Sequence, residues 1–389
     1  MAGVNVSVAP EIINWVIEKI QFSTVNNSVF ELLNKWKSGE KVPTFNQIED
    51  VSKKTNIPFG YFFLEKPPVE ECKIVEYRTI DSITVQNPSR NLIDTVDMMS
   101  NAQEWMIDYV KENGQEPLSF VGTDQKEKDA MKIAAHIRSE LHLSVDWFSG
   151  RKSASDSFRT LRQRLEDAGI MVMMNGIVGT NTHRKLSLEE FRAFTLVDPY
   201  VPLIFINSCD TDNGKLFSLV HETAHIWIGT NSFYNTPYAD SRSTNALEVL
   251  CNAVAGELLV PADLFLEKWE QTAGSALDRT ESLAKYFHCS RYVIIRRALD
   301  NQKVTSLKYN EVVRILLKQY EEWKNTPAQK NPGGDYYRTL KSRLDHRFVH
   351  ALEQSAKEGR TQYTEAYHLT NTNRKTFQKL VNEIGGAVW

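Results

Sequence analysis

The sequence predicts an α+β protein that is mostly helical, with a short sheet in the middle of the chain. Apolar residues recur at helical spacing over residues 10–66, and such a period indicates amphipathic helices. Three short apolar runs follow at 170–175, 191–197 and 202–207, and each has the length and residue types of a strand. Helical patterns then resume. Strands placed between runs of helices are typical of an α+β fold.

The first predicted unit is a small helical domain at residues 1–68. Its third helix is expected to begin at Thr44, which is a suitable N-cap. Phe45, Ile48 and Val51 of that helix are expected to face inward. Basic and acidic side chains balance in this unit, which favours a structural or protein-binding role over the reading of a DNA operator.

Three further segments follow this unit. Residues 69–150 are predicted to be a helical linker, with helices over about 91–112 and 124–140. Residues 151–330 contain the three strand-like runs and are expected to form the core domain. A Pro-, Gly- and Asn-rich stretch then marks a boundary, and residues 331–389 are predicted to be a helical C-terminal module.

The composition excludes several classes of protein. Hydrophobic residues make up 41% of the 389 residues and charged residues 24%, which is typical of a globular chain and not of a disordered or fibrous one. The net charge of -3 provides no global positive field for nucleic acid. The four cysteines form no C-x-x-C pair, which favours free thiols in a reducing compartment. Neither a signal peptide nor a membrane span is expected, so the cytoplasm is the predicted location.

The most informative segment is H-E-T-A-H at 221–225, which lies inside a predicted helix. His221 and His225 are four residues apart and therefore lie roughly 40° apart on one helix face. Two imidazoles in this arrangement can bind one metal ion, and Glu222 beside them can hydrogen-bond a metal-bound water. Gly229 provides the stop that such a helix needs.

A following helix carries two glutamates that compete for the third ligand position. Glu248 and Glu257 are about half a rotation out of phase on a helix, so they cannot both face one ion. Either one would complete a His₂Glu site with a position left for water. Glu248 is favoured, because Asn252 shares its face and can orient it. Glu257 borders an apolar run and suits a structural cap or pair.

These ligands predict metal-dependent hydrolysis of a peptide bond. Zn²⁺ is the expected ion, and Mn²⁺ or Fe²⁺ would suit the same ligands nearly as well. The ion lowers the pKa of its water to about 7 and polarises the scissile carbonyl, while Glu222 takes the proton and delivers it to the leaving amine. The donor for the oxyanion stays open among His183, Tyr234 and Arg242.

A helix-turn-helix rhythm occurs at 278–300, within the predicted core domain. Ser290 would cap a second helix that exposes Arg291, Arg296 and Arg297, and these arginines are the candidate DNA-binding residues. DNA contact is the less favoured interpretation, because such a segment can also be an ordinary part of the fold.

A second pair of histidines, His346 and His350, has the same spacing as the first pair. No glutamate lies between them, and the neighbouring Arg347 disfavours a cation site. The pair is therefore expected to consist of surface residues rather than metal ligands.

Together these segments resemble ImmA/IrrE-family zinc metallopeptidases that carry an N-terminal XRE-type, helix-turn-helix-like domain. The resemblance extends over nearly the whole chain. It rests on WKSG at 36–39, PFGYFFL at 58–64, EYRT at 76–79, FR at 191–192, FIN at 205–207, HETAH at 221–225, EVLCN at 248–252, LLVP at 258–261, GGDYY at 333–337, GR at 359–360 and EAY at 365–367. It implies a zincin-like metallopeptidase core and supports Glu248 as the third ligand. One departure is the short, polar segment before Trp36, where the first helix of a helix-turn-helix should lie.

The resemblance also implies a regulatory activity in the cytoplasm. Members of this family inactivate XRE-type repressors of mobile elements, prophages or stress programmes, and some are paired with small toxins or repressors. The expected function is therefore an endopeptidase that cleaves such a protein, encoded nearby. The alternative is a transcriptional regulator or antitoxin-like binding protein with a structural or vestigial metal site. The sequence does not determine the oligomeric state.

Overall fold

The computed structural model describes residues 4–20, 27–68, 88–234, 246–324 and 336–385. Within these residues the chain forms sixteen α-helices and one four-stranded sheet. The predicted fold class, a mostly helical α+β protein, is confirmed. Helices cover both faces of the sheet, which therefore lies in the interior.

The helices fall into three groups along the chain, before, around and after the sheet. They are α1 (Pro10–Lys19), α2 (Asn27–Lys37), α3 (Phe45–Thr55), α4 (Arg90–Glu112), α5 (Ala130–Glu140), α6 (Ala154–Asp167), α7 (Asp212–Ile228), α8 (Ala246–Leu259), α9 (Ala262–Gln271), α10 (Ala276–Tyr286), α11 (Arg291–Asp300), α12 (Ser306–Lys324), α13 (Tyr336–Arg343), α14 (His346–Lys357), α15 (Tyr363–Leu369) and α16 (Arg374–Gly385). Among the described residues no single helix has the length and apolarity to cross a membrane, although α8 and α9, bent by 56°, would meet those two criteria as a pair.

The sheet has the strand order β1-β3-β2-β4. Its strands are β1 (Met171–Asn175), β2 (Ala193–Leu196), β3 (Leu203–Asn207) and β4 (Ser232–Tyr234). β3 pairs in parallel with β1, whereas the pairs β2–β3 and β2–β4 are antiparallel. The first three strands lie where the apolar runs predict them. The fourth was not predicted, because three residues are too few to show an alternating pattern.

Side chains of the strands alternate between two hydrophobic cores. Val172 and Ile204 belong to the first core, on the face that packs against α7. Met173 and Phe205 belong to the second core, on the opposite face. Since successive side chains of a strand point to opposite faces, both faces need apolar cover, and α4 with the C-terminal helices covers the second.

The segment that was predicted to be a linker contributes to both cores. Val96 and Met106 of α4 are buried in the second core, and Ile133 and Ile137 of α5 are buried in the first. Residues 88–150 are thus packed against the sheet and its helices and do not form an extended linker. The local helical pattern was visible in the sequence, but its packing partners were not.

The N-terminal helices enclose a third, smaller core together with a short 3₁₀ helix at Phe59–Phe63. Thr44 caps α3 as predicted, in a reciprocal capping box with Gln47. The prediction that Phe45 faces inward is wrong, because this side chain is 45% exposed and its ring packs edge-on against Phe59. Ile48 is fully buried as predicted. As the first residue of α3, Phe45 lies on the outer side of the helix.

Candidate metal centre

Helix α7 carries the H-E-x-x-H segment and packs against β2 and β3. Its N-cap is Thr211, whose hydroxyl accepts a hydrogen bond from the backbone N–H of Gly214 at 3.1 Å. It ends at Gly229, which has a φ of 78°. A Cβ atom at this position would lie 2.8 Å from the Cα atom of Gly122. The left-handed backbone and the close approach both require glycine there, so α7 ends where the sequence predicted.

His221 and His225 of α7 converge with Glu248 of α8. The Nε2 atoms of the two histidines are 3.2 Å apart. Oxygens of the Glu248 carboxylate lie 3.2 Å from Nε2 of His221 and 3.5 Å from Nε2 of His225. One ligand atom from each residue lies within 4.8 Å of the others, a spacing that one metal ion can bridge. Both imidazoles are fully buried, whereas the Glu248 side chain keeps 17% of its surface exposed, so the cluster reaches solvent beside the glutamate.

The surroundings of His225 and Glu248 favour the protonation states that a metal ion requires. At His221, burial alone would lower the pKa, but the hydrogen bond to Glu248 and the charges of Glu248 and Glu222 outweigh it and raise this pKa. Burial, reinforced by the neighbouring His221, lowers the pKa of His225 to about 3. Burial alone would raise the pKa of Glu248, but the hydrogen bond from His221 and the charge of both imidazoles outweigh it and lower this pKa to about 2. A neutral imidazole and an ionised carboxylate are the forms that coordinate a divalent ion.

The far nitrogens of both histidines are hydrogen-bonded. Nδ1 of His221 lies 3.1 Å from Oδ1 of Asn252, and Nδ1 of His225 lies 3.1 Å from the Thr230 hydroxyl. These partners hold each ring so that Nε2 faces the cluster. Asn252 was expected to orient Glu248. The structure places it against His221 instead, because one turn along α8 from Glu248 it reaches the imidazole of the facing helix.

Glu222 lies fully buried beside the cluster and is held by two hydroxyl groups. Thr195 of β2 donates to its Oε2 at 2.5 Å, and Ser232 of β4 donates to the same oxygen. These two residues are paired across the antiparallel strands. Oε1 of Glu222 is buried and has no hydrogen-bond partner among the described residues. Burial raises the pKa of this carboxyl group above its usual value.

This donor set fits a divalent ion with a bound water. Three ligands converge from two helices, and an unpartnered carboxylate oxygen is buried next to them. A buried polar atom normally has a partner, and a water held at the fourth position of a His₂Glu site would provide one.

Sequence reasoning did not identify Thr195, Ser232 and Thr230. A signal existed for two of them. Thr195 is a polar residue inside an otherwise apolar strand, and Thr230 directly follows the glycine that ends α7. Ser232 lies in the strand that was not predicted, so no sequence pattern indicated its contact with Glu222.

Glu257, the competing third ligand, lies outside the cluster. Its carboxylate pairs with Arg297 of α11 and lies 3.6 Å from the guanidinium of Arg138 on α5. Arg297 also donates to the backbone carbonyl of Val260 at 2.9 Å. Glu257 therefore links three helices, which agrees with the structural role expected for it.

The three candidate DNA-binding arginines do not form one exposed surface. The expectation that Arg297 is exposed is wrong, because its side chain is only 14% exposed and is paired with Glu257. Ser290 caps α11 as predicted. Arg291 and Arg296 line a cavity beside α7 and form ion pairs with Glu281 and Asp300.

The structure describes one of the three oxyanion candidates. His183 is exposed in the loop between β1 and β2 and is not a member of the cluster. The Tyr234 side chain and Arg242 lie outside the described residues.

The second histidine pair is less exposed than the prediction of surface residues implies. His346 and His350 of α14 are both half-buried. Burial, together with the charges of Arg162 and Lys341, lowers the pKa of His346 to about 4. Its surroundings therefore oppose a cation, as the neighbouring Arg347 had indicated.

Comparison with protein families places these features in context. Residues 165–299 match the model of the peptidase M78 family, described as an IrrE N-terminal-like domain. The core resembles this family. The matched span runs from the end of α6 into α11 and contains the whole cluster, so it supports the ImmA/IrrE resemblance and a metallopeptidase-type function. M78 peptidases are metal-dependent.

A second match covers residues 344–383, which resemble a domain of unknown function (DUF8813). No curated protein matched the chain. Neither family match extends over α1–α3, so the XRE-type character of that unit stays a prediction.

Proposed function

We propose that this chain is a metal-dependent endopeptidase, with zinc as its ion, that cleaves a regulatory protein in the cytoplasm. The observation that carries the proposal is the unpartnered Oε1 of buried Glu222 beside the three-ligand cluster. Structural zinc sites are closed by four protein ligands, whereas catalytic sites keep one position open. The described residues supply three ligands.

The surroundings of Glu222 suit it to proton transfer. A bound divalent ion would supply a water of lowered pKa and polarise the scissile carbonyl. Hydrogen bonds from Thr195 and Ser232 occupy Oε2 and fix the carboxylate, so Oε1 is the oxygen that accepts the proton of the attacking water and returns it to the leaving amine. The raised pKa of this group favours the first of these steps, because a carboxyl that binds a proton more tightly is a stronger base.

The proposed substrate is an XRE-type repressor or a small toxin or antitoxin partner encoded nearby. The resemblance of residues 165–299 to the IrrE N-terminal-like domain supports this class of substrate. An extended peptide can bind by adding a strand to the edge of a sheet. β4 is the last strand in the described order and contains Ser232, which contacts Glu222. We therefore expect the substrate backbone to pair with β4.

The test is the replacement Glu222→Gln. Host cells that carry the neighbouring genes are compared by N-terminal peptide profiling with wild type, with Glu222→Gln and with Glu116→Gln, an exposed glutamate that serves as the matched control. A new terminus is expected with wild type and the control, and is expected to be absent with Glu222→Gln. Identical profiles for all three proteins would overturn the proposed activity.

Metal analysis of the same purified proteins separates chemistry from folding. Wild type and Glu222→Gln are both expected to contain one zinc ion per chain, because Glu222 is not one of the three converging ligands. A variant that loses both metal and cleavage would assign Glu222 to metal binding and contradict its role as the base. Stoichiometric manganese or iron would correct the identity of the ion.

A further inference from the structure

A cavity of about 820 Å³ lies at the N-terminal end of α7. Its walls are the first residues of α6 and α7, the turn between α10 and α11, and α12. None of the three cluster residues lines it. One side chain separates it from the metal centre: Phe217 lines the cavity, and its ring stacks on His221 with the centroids 6.3 Å apart. This volume is in the range of sites for small molecules.

The lining of the cavity contains more basic than acidic side chains. Five basic side chains line it against two carboxylates, those of Asp210 and Glu281; the basic residues are Lys152, Arg192, Lys285, Arg291 and Arg296. His288 adds no charge at neutral pH, because burial lowers its pKa. A local excess of positive charge in a chain with a net charge of -3 is not an effect of overall composition.

Two of these groups lack partners that would neutralise them, whereas Arg291 pairs with Glu281 and Arg296 with Asp300. The ammonium groups of Lys152 and Lys285 have no carboxylate partner among the described residues, and both side chains are exposed. Arg192 is largely buried and pairs with Asp210 through one terminal nitrogen. Its buried Nε has no acceptor among the described residues. A buried donor beside unpaired cations is the environment that an anion satisfies.

Backbone groups reinforce this charge. Three helices begin at the wall of the cavity, with Ser153, Thr211 and Ser290 as the N-caps of α6, α7 and α11. The first turn of a helix presents N–H groups and a partial positive charge that favour phosphate oxygens.

Another part of the wall is aromatic and apolar. Phe217, Tyr309 and Leu316 line the same cavity as the cations. Such a surface can pack against a flat ring, while the basic side chains hold charged groups.

We propose that this cavity binds a small phosphorylated molecule of nucleotide size, with its phosphates at the basic residues and its ring against the aromatic wall. The occupant contacts Phe217 and is therefore one side chain away from a metal ligand. The proposal does not depend on peptidase activity. Duplex DNA is a poor occupant, because the arginines line a concave surface.

Calorimetric titration of the full-length protein tests this site with ATP and with inorganic tripolyphosphate. The titrations contain EDTA, so that binding of phosphate to a metal ion at the cluster is excluded. Saturable binding of both probes is expected, with ATP tighter because it also supplies a ring. Lys152→Gln and Lys285→Gln are each expected to lower the affinity for both probes by about tenfold. This is the effect expected from the loss of one charge-assisted hydrogen bond. Both side chains are exposed, so the fold should be retained, and melting curves check this.

The matched control is Lys318→Gln on α12, an exposed lysine that does not line the cavity. It is expected to bind both probes like wild type. Absence of saturable binding to wild type would overturn the proposal, as would equal weakening by Lys318→Gln, which would indicate non-specific attraction. Tighter binding of a hexaglutamate peptide than of ATP would show that the cavity binds acidic peptides and would overturn the proposal. Tighter binding of duplex DNA would overturn it in favour of nucleic acid.

Discussion

Helix α8 carries two carboxylates that lie in different environments. The Glu248 side chain is 17% exposed and meets two imidazoles, whereas that of Glu257 is 7% exposed and meets two guanidinium groups. A buried carboxylate between arginines already has its counter-charges. One that faces two imidazoles lacks a permanent cation, and a metal ion would supply it. Both residues are glutamates on the same helix, so the side chains that contact them decide which one is structural and which one is a candidate ligand.

The replacement Glu257→Gln tests the structural role of this glutamate and should cause the largest loss of stability. It leaves Arg138 and Arg297 without their buried counter-charge, so the free energy of unfolding should fall by about 3–5 kcal/mol. Urea unfolding with EDTA present measures this change. The zinc affinity of the folded protein should be unchanged, and a loss comparable to that of a ligand variant would contradict the assignment.

The replacement Glu248→Gln tests the other carboxylate. Removal of one of three ligands should lower zinc affinity by more than about 100-fold, which is the upper range for loss of a residue that only orients a ligand. Competition with a chelator of known affinity measures it. Without metal, the free energy of unfolding should fall less than for Glu257→Gln, because Glu248 is more exposed and its partners are imidazoles rather than guanidinium groups. Unchanged zinc affinity would mean that another residue supplies the third ligand.

A smaller loss of zinc affinity is expected for Asn252→Ala. This change removes the hydrogen-bond partner of His221 Nδ1 without touching the cluster, so zinc affinity should fall by about 10- to 100-fold. Asn113→Ala, at the exposed C-cap of α4, is the matched control and should bind zinc like wild type. If both variants bind zinc equally well, Asn252 does not orient the ligand.

The smallest effect on stability is expected at His346, a half-buried imidazole with no carboxylate partner among the described residues. Its pKa is lowered from the usual value of 6.5 to about 4. Between these two pH values the unfolded chain binds a proton that the folded chain does not, so stability falls as the pH drops through this window. Urea unfolding at pH 7 and pH 5 should show a smaller loss for His346→Gln than for wild type. An equal loss would show that other groups account for the pH dependence.

The two histidine pairs show how far the sequence could predict the site. Both have the same spacing on a helix, and helical geometry alone places each pair on one face. The pair on α7 meets Glu248, while Arg162 and Lys341 approach the pair on α14. The glutamate next to His221 and the two out-of-phase candidates on α8 were visible in the sequence, because they follow from the same periodicity. The approach of α8 to α7 was not visible, since it depends on packing between elements distant in the chain.

The sequence by itself determined what local physics controls. Apolar runs determined three of the four strands. The capping residues Thr44 and Ser290 determined two helix starts, and helical spacing placed the H-E-x-x-H residues on one helix. Only the tertiary structure decided which partners meet. It brought Thr195 and Ser232 to Glu222, paired Glu257 with arginines, packed the expected linker into the cores and turned two predicted DNA-binding arginines toward a cavity. Hydrogen bonds and ion pairs act over a few ångströms between residues far apart in sequence, so periodicity carries no information about them.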